Sequence, residues 1–144
     1  MTRRSSVWVV DDDASIRWVL EKALSNAEFA VTLFDNADDV LKRVEREQPD
    51  VIVTDIRMPG TSGLELLDVL GKDTPDLPVI VMTAFSDLDS AVSAYQGGAF
   101  EYLPKPFDLE EAVALVGRAL QKKAQGEVHA AADEKDSGMV GAAP

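Results

Sequence analysis

The chain has 144 residues, 46% of them hydrophobic and 28% charged, the size and balance of one ordinary globular domain with a little left over. Acids outnumber bases 26 to 14, giving a net charge of −12 that disfavours direct binding of nucleic acid or anionic lipid by this segment. With no cysteine and the single histidine His129, disulfides, thiolate chemistry, multi-histidine metal sites and a histidine-based mechanism in the body of the fold are excluded.

Apolar runs alternate with amphipathic stretches along the chain. Val7–Val10 is a short, wholly apolar run, as expected of a strand buried on both faces. Ile16, Val19, Leu20, Ala23, Leu24 and Ala27 follow at helical spacing. Ala30–Phe34 reads as a second strand, and Asn36 suits the cap of a helix carrying Val40, Leu41 and Val44. Val51–Thr54 is a third strand ending at Asp55, and Pro59, Gly60 and Gly63 punctuate the loop before a helix with Leu64, Leu67 and Leu70. Val79–Met82 is a fourth strand. Ser86 with Asp89 fits a capping box ahead of a helix whose inner face is read as Leu88, Ala91, Val92 and Tyr95. Ala99–Leu103 is a fifth strand, and Leu109, Ala112, Val113, Val116 and Leu120 form a last apolar stripe. Trp8 and Trp18 both read as packing residues.

Strict alternation of strand and helix argues an α/β domain, a parallel sheet with helices on both faces. Such sheets bind ligands beyond the carboxyl ends of their strands, where the strand order switches. From about Lys122 the periodicity stops, and the rest reads as a linker rich in Ala, Gly and charge. The helix begun near Asp108 is expected to run several residues past Leu120 but not beyond Gly126. No apolar run approaches the roughly 20 residues of a membrane span, and Val7–Val10 is too short for a signal peptide. The expectation is a cytoplasmic protein.

The polar residues fall at strand ends. Asp11, Asp12 and Asp13 follow the first strand, Asp55 the third, Thr83 the fourth and Lys105 the fifth. In the order 2-1-3-4-5, the first and third strands are neighbours and Asp11, Asp12 and Asp55 converge. Clustered carboxylates repel one another unless a cation joins them. Oxygen ligands without His or Cys select Mg²⁺, Mn²⁺ or Ca²⁺, and a few carboxylates plus water suit Mg²⁺ beside a phosphate. One carboxylate then acts as nucleophile toward a phosphoryl group whose oxygens are met by the metal, Lys105 and the Thr83 hydroxyl. Each piece alone has an ordinary explanation, and Asp13 is best read as a helix cap. Their joint occurrence at successive strand ends is what points to phosphoryl transfer onto an aspartate.

The same residues carry a resemblance. Val9-Val-Asp-Asp12, Asp55-Ile-Arg-Met-Pro-Gly60 with Gly63, Met82-Thr-Ala84 and Tyr102-Leu-Pro-Lys-Pro-Phe107 resemble, in order, the motifs of response-regulator receiver domains of bacterial two-component signalling. Val7–Asp13, Ser15–Leu20, Ser86–Asp89, Gly98–Phe107 and Glu111–Val116 are most similar to the NtrC family of nitrogen-regulation, σ54-dependent activators. The resemblance implies a flavodoxin-like, doubly wound five-stranded sheet of order 2-1-3-4-5 over residues 6–122. It implies that Asp55 is the phosphoacceptor, and that Mg²⁺ is bound by Asp12, Asp55 and the Arg57 backbone carbonyl, with Asp11 acting through water. Thr83 and Lys105 would contact the phosphoryl group, and Thr83 and Tyr102 would form the switch. The implied phosphodonor is a sensor histidine kinase. The protein is then a signalling switch with only intrinsic self-phosphorylation and self-dephosphorylation, and phosphorylation is expected to permit receiver dimerisation. Where the NtrC pattern usually has His, this chain has Phe85, which bears on the phosphoryl lifetime. Residues 123–144 resemble a linker ending at the start of an AAA+ domain around Met139–Pro144, so ATPase and DNA-binding functions are expected elsewhere in the full-length protein.

Two other readings compete. A haloacid-dehalogenase-type phosphatase also uses a strand-end Asp, but Asp55-Ile-Arg57 lacks that family's second Asp. A flavin-binding electron carrier requires a phosphate-cradling loop where this chain has Asp11–Asp13.

Overall fold

Each strand is followed by a helix, so neighbouring strands can pair only in parallel by crossing over one face of the sheet. The computed structural model describes residues 4–84 and 87–132, with backbone alone at Leu88 and over 124–132. In chain order its elements are β1 Ser6–Val10, α1 Ala14–Asn26, β2 Ala30–Phe34, α2 Ala37–Val44, β3 Val51–Asp55, α3 Gly63–Asp73, β4 Val79–Ala84, α4 Leu88–Gln96, β5 Glu101–Lys105 and α5 Leu109–Ala132. The five strands form one parallel sheet of order β2-β1-β3-β4-β5, as expected from the sequence.

Alternating side chains of the central strands feed two cores. Trp8, Val10, Ile52, Val79 and Val81 face Val40 of α2, Leu66, Leu67 and Leu70 of α3 and Ala94 of α4. Val7, Val9, Val51, Val53, Ile80 and Met82 face Leu20 and Leu24 of α1 and Ala112, Leu115, Val116 and Ala119 of α5. Burial on both faces explains the unbroken apolar runs of β1, β3 and β4. The starts of α1, α2 and α3 have side-chain caps: Asp13 accepts from the Ser15 N–H, Asn36 from the Asp39 N–H, and Ser62 with Glu65 forms a reciprocal capping box.

Several expectations are corrected. Trp8 packs fully in the core against Phe34, with centroids 5.0 Å apart, but Trp18 is 59% exposed. Trp18 lies two residues beyond Ile16, about 200° around the helix, and carries the Lys22 ammonium 5.6 Å from its ring centroid instead of core contacts. On α4 the buried residues among the described side chains are Ala91 and Ala94, while Val92 and Tyr95 point outward, 54% and 44% exposed, and the Leu88 side chain lies outside the described set. Small side chains let this helix lie close to the sheet, so the larger ones are left on its outer side. Leu109 is likewise exposed.

β4 runs on to Ala84, placing Thr83 within the strand, and β5 is shifted to Glu101–Lys105 because the Ala99 N–H is taken by the Ala94 carbonyl at the end of α4 and the chain first meets β4 at Phe100, whose N–H bonds to the Val79 carbonyl. Asp87 caps α4, accepting from the Ser90 N–H. Ser86, Phe85 and Met139–Val140 lie outside the described residues. α5 extends through Ala132, past Gly126 and into the stretch read as linker. Lys122, Lys123, Ala124 and the alanines at 130–132 are strong helix formers, and this local preference carries the helix past the end of its apolar stripe. No helix among the described residues is long and apolar enough to cross a membrane.

Candidate functional site

The chain leaves β1 toward β2 on one side and β3 toward β4 on the other, so the crevice between the carboxyl ends of β1 and β3 is the switch point of the sheet. Asp11 and Asp12 follow β1, and Asp55 is the last residue of β3. Carboxylate oxygens from the three lie within 4.8 Å of one another. Asp11 is fully buried, Asp55 is 8% exposed, and Asp12 faces solvent.

Lys105, the last residue of β5, reaches back across β4 to this cluster. Its Nζ donates to Asp11 Oδ2 at 2.9 Å and lies 3.4 Å from Asp55 Oδ1. The buried Asp11 is fully engaged. Its Oδ1 accepts from the Asp13 N–H at 2.9 Å, and its carbonyl accepts from the Arg17 guanidinium at 2.6 Å. Asp13 is thus a helix cap that also holds Asp11, outside the cluster itself.

Burial, reinforced by the charge of Asp11 and opposed by Lys105, pushes the Asp55 carboxyl above the ordinary 3.8. Burial alone would lower Lys105, but its hydrogen bond to Asp11 and the charges of Asp11 and Asp55 outweigh that and hold it above 10.5. Three carboxylates against one ammonium leave the site short of positive charge. Its all-oxygen donor set suits a hard dication, Mg²⁺ among them.

Thr83 is 3% exposed, and its hydroxyl has no hydrogen-bond partner among the described residues. A buried hydroxyl left unpaired is costly, and at strand ends that form a site it is available to an incoming acceptor. Tyr102 lies outside the acid cluster. It sits on β5 with its ring edge-on to Tyr95 of α4, centroids 5.5 Å apart at 89°. Arg57 follows Asp55 by two residues, and its side chain turns outward.

Three features escaped the sequence reading. Arg57 Nε and Nη2 donate to Asp87 Oδ2 at 2.9 and 2.8 Å, tying the loop after Asp55 to the cap of α4. The hydrogen bonds from Ser90, with help from Arg57, hold Asp87 below 3.8. Arg17 braces Asp11 through its carbonyl. Gly63 opens α3 against the end of β3, where a Cβ would overlap the Asp55 carbonyl oxygen and come within 2.8 Å of the Ile56 Cα. The Asp-to-Gly spacing hinted at this last contact, but nothing in one sequence reports the pairs with Asp87 and the Asp11 carbonyl.

Residues 7–117 match the family model of the response regulator receiver domain. The chain belongs to that family. The receiver is of the NtrC type. It is 61% identical over 118 residues to the DNA-binding transcriptional regulator NtrC of Salmonella typhimurium, a match covering 82% of this chain and 25% of that protein. It is 51% identical over 144 residues to NtrC of Klebsiella pneumoniae, covering 99% of this chain and 31% of that one. The solution structure of the apo receiver domain of nitrogen regulatory protein C superposes with a TM-score of 0.77 at 60% identity, covering 84% of this chain and 98% of that one. The receiver therefore spans about a quarter to a third of these curated relatives. Nothing in these matches supports the haloacid-dehalogenase reading.

Proposed function

We propose that Asp55 accepts a phosphoryl group from the phosphohistidine of a sensor kinase and that the receiver passes this event to output domains elsewhere in its protein. The observation carrying the proposal is the convergence of Asp11, Asp12 and Asp55 at the switch point with Lys105 bonded across it. In the proposed step an Asp55 carboxylate oxygen attacks phosphorus while the phosphorus–nitrogen bond to the imidazole breaks. The bonding pair stays on nitrogen, leaving a free imidazole and an aspartyl phosphate. Water later attacks that phosphorus, returning the carboxylate and inorganic phosphate.

Asp12, Asp55 and the Arg57 carbonyl would hold Mg²⁺ directly and Asp11 through water; when bound, the ion supplies charge neutralisation at the phosphoryl oxygens. Lys105 Nζ, within 3.4 Å of Asp55, is the protein's own cation for those oxygens. The unpartnered Thr83 hydroxyl is a donor for one of them. Its movement toward the phosphoryl group would free space near β5 for Tyr102, whose ring contact with Tyr95 leads to α4.

The relatives' names, nitrogen regulatory protein C and DNA-binding transcriptional regulator NtrC, support reading the chain as the input segment of a transcriptional regulator, which the motif resemblance makes a cytoplasmic, σ54-dependent activator. Its AAA+ and DNA-binding domains would lie beyond residues 123–144, and phosphorylated receivers would pair. Because the Klebsiella relative matches 99% of this chain, that stretch fits as part of the same regulator.

Incubation with Mg²⁺ and acetyl phosphate, followed by intact-mass measurement, tests the proposal. One phosphoryl increment, labile to base and absent from Asp55→Asn, is expected. Multiple turnover of unrelated phosphoesters, or equal labelling of Asp55→Asn, would overturn it.

A further inference from the structure

The chain carries 14 basic residues against 26 acidic ones, yet four of the bases line a single groove. The groove, about 540 Å³, runs between α1 and α2 over the end of β2. Its floor is Leu33 and Phe34, and its walls are Arg17 from α1, Lys42 and Arg43 from α2, and Arg46 from the turn that follows α2. Arg17 is fixed in place by its 2.6 Å bond to the Asp11 carbonyl. The Arg43 guanidinium lies 5.7 Å from the centroid of the Phe34 ring and pairs with Glu47 at 3.3 Å. Lys42 on α2 and Arg46 just past its end, four residues apart in the chain, have no ion pair or hydrogen-bond partner among the described residues. Two acids, Asp35 and Asp39, also border the groove, but the Asn36 amide donates to both, at 2.6 and 3.0 Å, so their acceptor capacity is partly used.

We propose that this groove docks an acidic segment of a partner protein, one that presents carboxylates a helical turn apart beside an apolar side chain. The carboxylates meet Lys42 and Arg46, and the apolar side chain lies over Leu33 and Phe34. Charge complementarity carries the assignment. A chain of net charge −12 that keeps two cations without partners among the described residues at the rim of one groove, beside Leu33 and Phe34, is built for a local negative charge. A nucleic acid suits it less, because its continuous charge would run past the groove onto the acidic surface and along Asp35 and Asp39. A small free anion suits it less too, because Lys42 and Arg46 are exposed and no buried donors converge there. The groove is distinct from the acid cluster, so the proposal stands or falls independently of Asp55 phosphorylation.

The test is an amide-shift titration of the isotope-labelled 144-residue chain with a synthetic helical peptide bearing Glu at positions i and i+4 around Leu. The expected result is shifts at Arg17 and over residues 33–46. Affinity should fall about tenfold with a Gln-for-Glu peptide and with the double variant Lys42→Glu/Arg46→Glu, and should weaken with salt. Both side chains are exposed, and unchanged shifts away from the groove in the variant verify its fold; Lys42→Gln/Arg46→Gln serves if they change. Absence of shifts at these residues, or equal affinity for the Gln peptide or the variant, overturns the proposal. So does tighter binding there of inorganic phosphate or of a single-stranded oligonucleotide.

Discussion

Gly63→Ala should damage the receiver through the backbone at the end of β3, which carries Asp55. Gly63 donates its N–H to the Ile56 carbonyl at 2.8 Å, which presses the first turn of α3 onto the end of β3. An added Cβ would overlap the Asp55 carbonyl oxygen and approach the Ile56 Cα to 2.8 Å. Neither neighbour is a side chain that can swing aside, so the cost belongs at the upper end for overpacking, about 3 kcal/mol. At about 3 °C per kcal/mol for a chain of this size, Tm should fall by about 10 °C. Gly117→Ala is the matched control. Gly117 lies within α5 with nothing near its Cβ position, so Ala there should stabilise by about 1 kcal/mol, or about 3 °C. Thermal melts of both variants decide the matter, and acetyl phosphate labelling reads the second effect. Because the clash displaces Asp55, Gly63→Ala should label several-fold more slowly even where fully folded, while Gly117→Ala labels normally. An unchanged or raised Tm in Gly63→Ala would refute the close-approach argument.

Asp55 is held above 3.8 by burial and by Asp11 despite Lys105, so the folded state binds its proton more tightly than the unfolded chain does. The stability this contributes is complete below 3.8 and is lost as pH rises through the raised folded value. Asp55→Asn should therefore gain on the wild type as pH rises from about 4, then level off, as read from urea midpoints up to about pH 8; a gain that shrinks with pH would contradict this. Mg²⁺ should stabilise the wild type by about 2.7 kcal/mol at a hundredfold excess over its Kd, an effect seen in Tm and lost in Asp12→Asn. Thr83→Val should leave the unphosphorylated domain as stable or about 1 kcal/mol more stable, because it removes a buried hydroxyl without a partner. The same variant should lose the amide shifts of α4 on phosphorylation.

The parallel sheet was legible because period and alternation are long-range regularities; its order came with the resemblance to receivers, and the convergence of Asp11, Asp12 and Asp55 followed once β1 and β3 were neighbours. What was not legible depended on which side of a helix meets its neighbours. Trp18 and Val92 are as apolar as core residues, yet the core faces of α1 and α4 were already filled by Leu20 and Leu24 and by Ala91 and Ala94. Element ends slipped for a related reason. β5 starts late because the Ala99 N–H closes the end of α4 on Ala94, and α4 takes its cap from Asp87; both are contacts that local propensity does not weigh. The brace from Arg17 to Asp11 and the tie from Arg57 to Asp87 join residues whose pairing depends on how loops fold over the sheet edge.

The claim that Asp55 carries the phosphoryl group is tested most directly by chemical trapping. The receiver is labelled with acetyl phosphate and Mg²⁺, reduced with borohydride, which converts an acyl phosphate to an alcohol, and digested for peptide sequencing by mass. The account predicts homoserine at position 55 and nowhere else. Homoserine at position 11, 12 or 13, or none in a fully labelled sample, would contradict it.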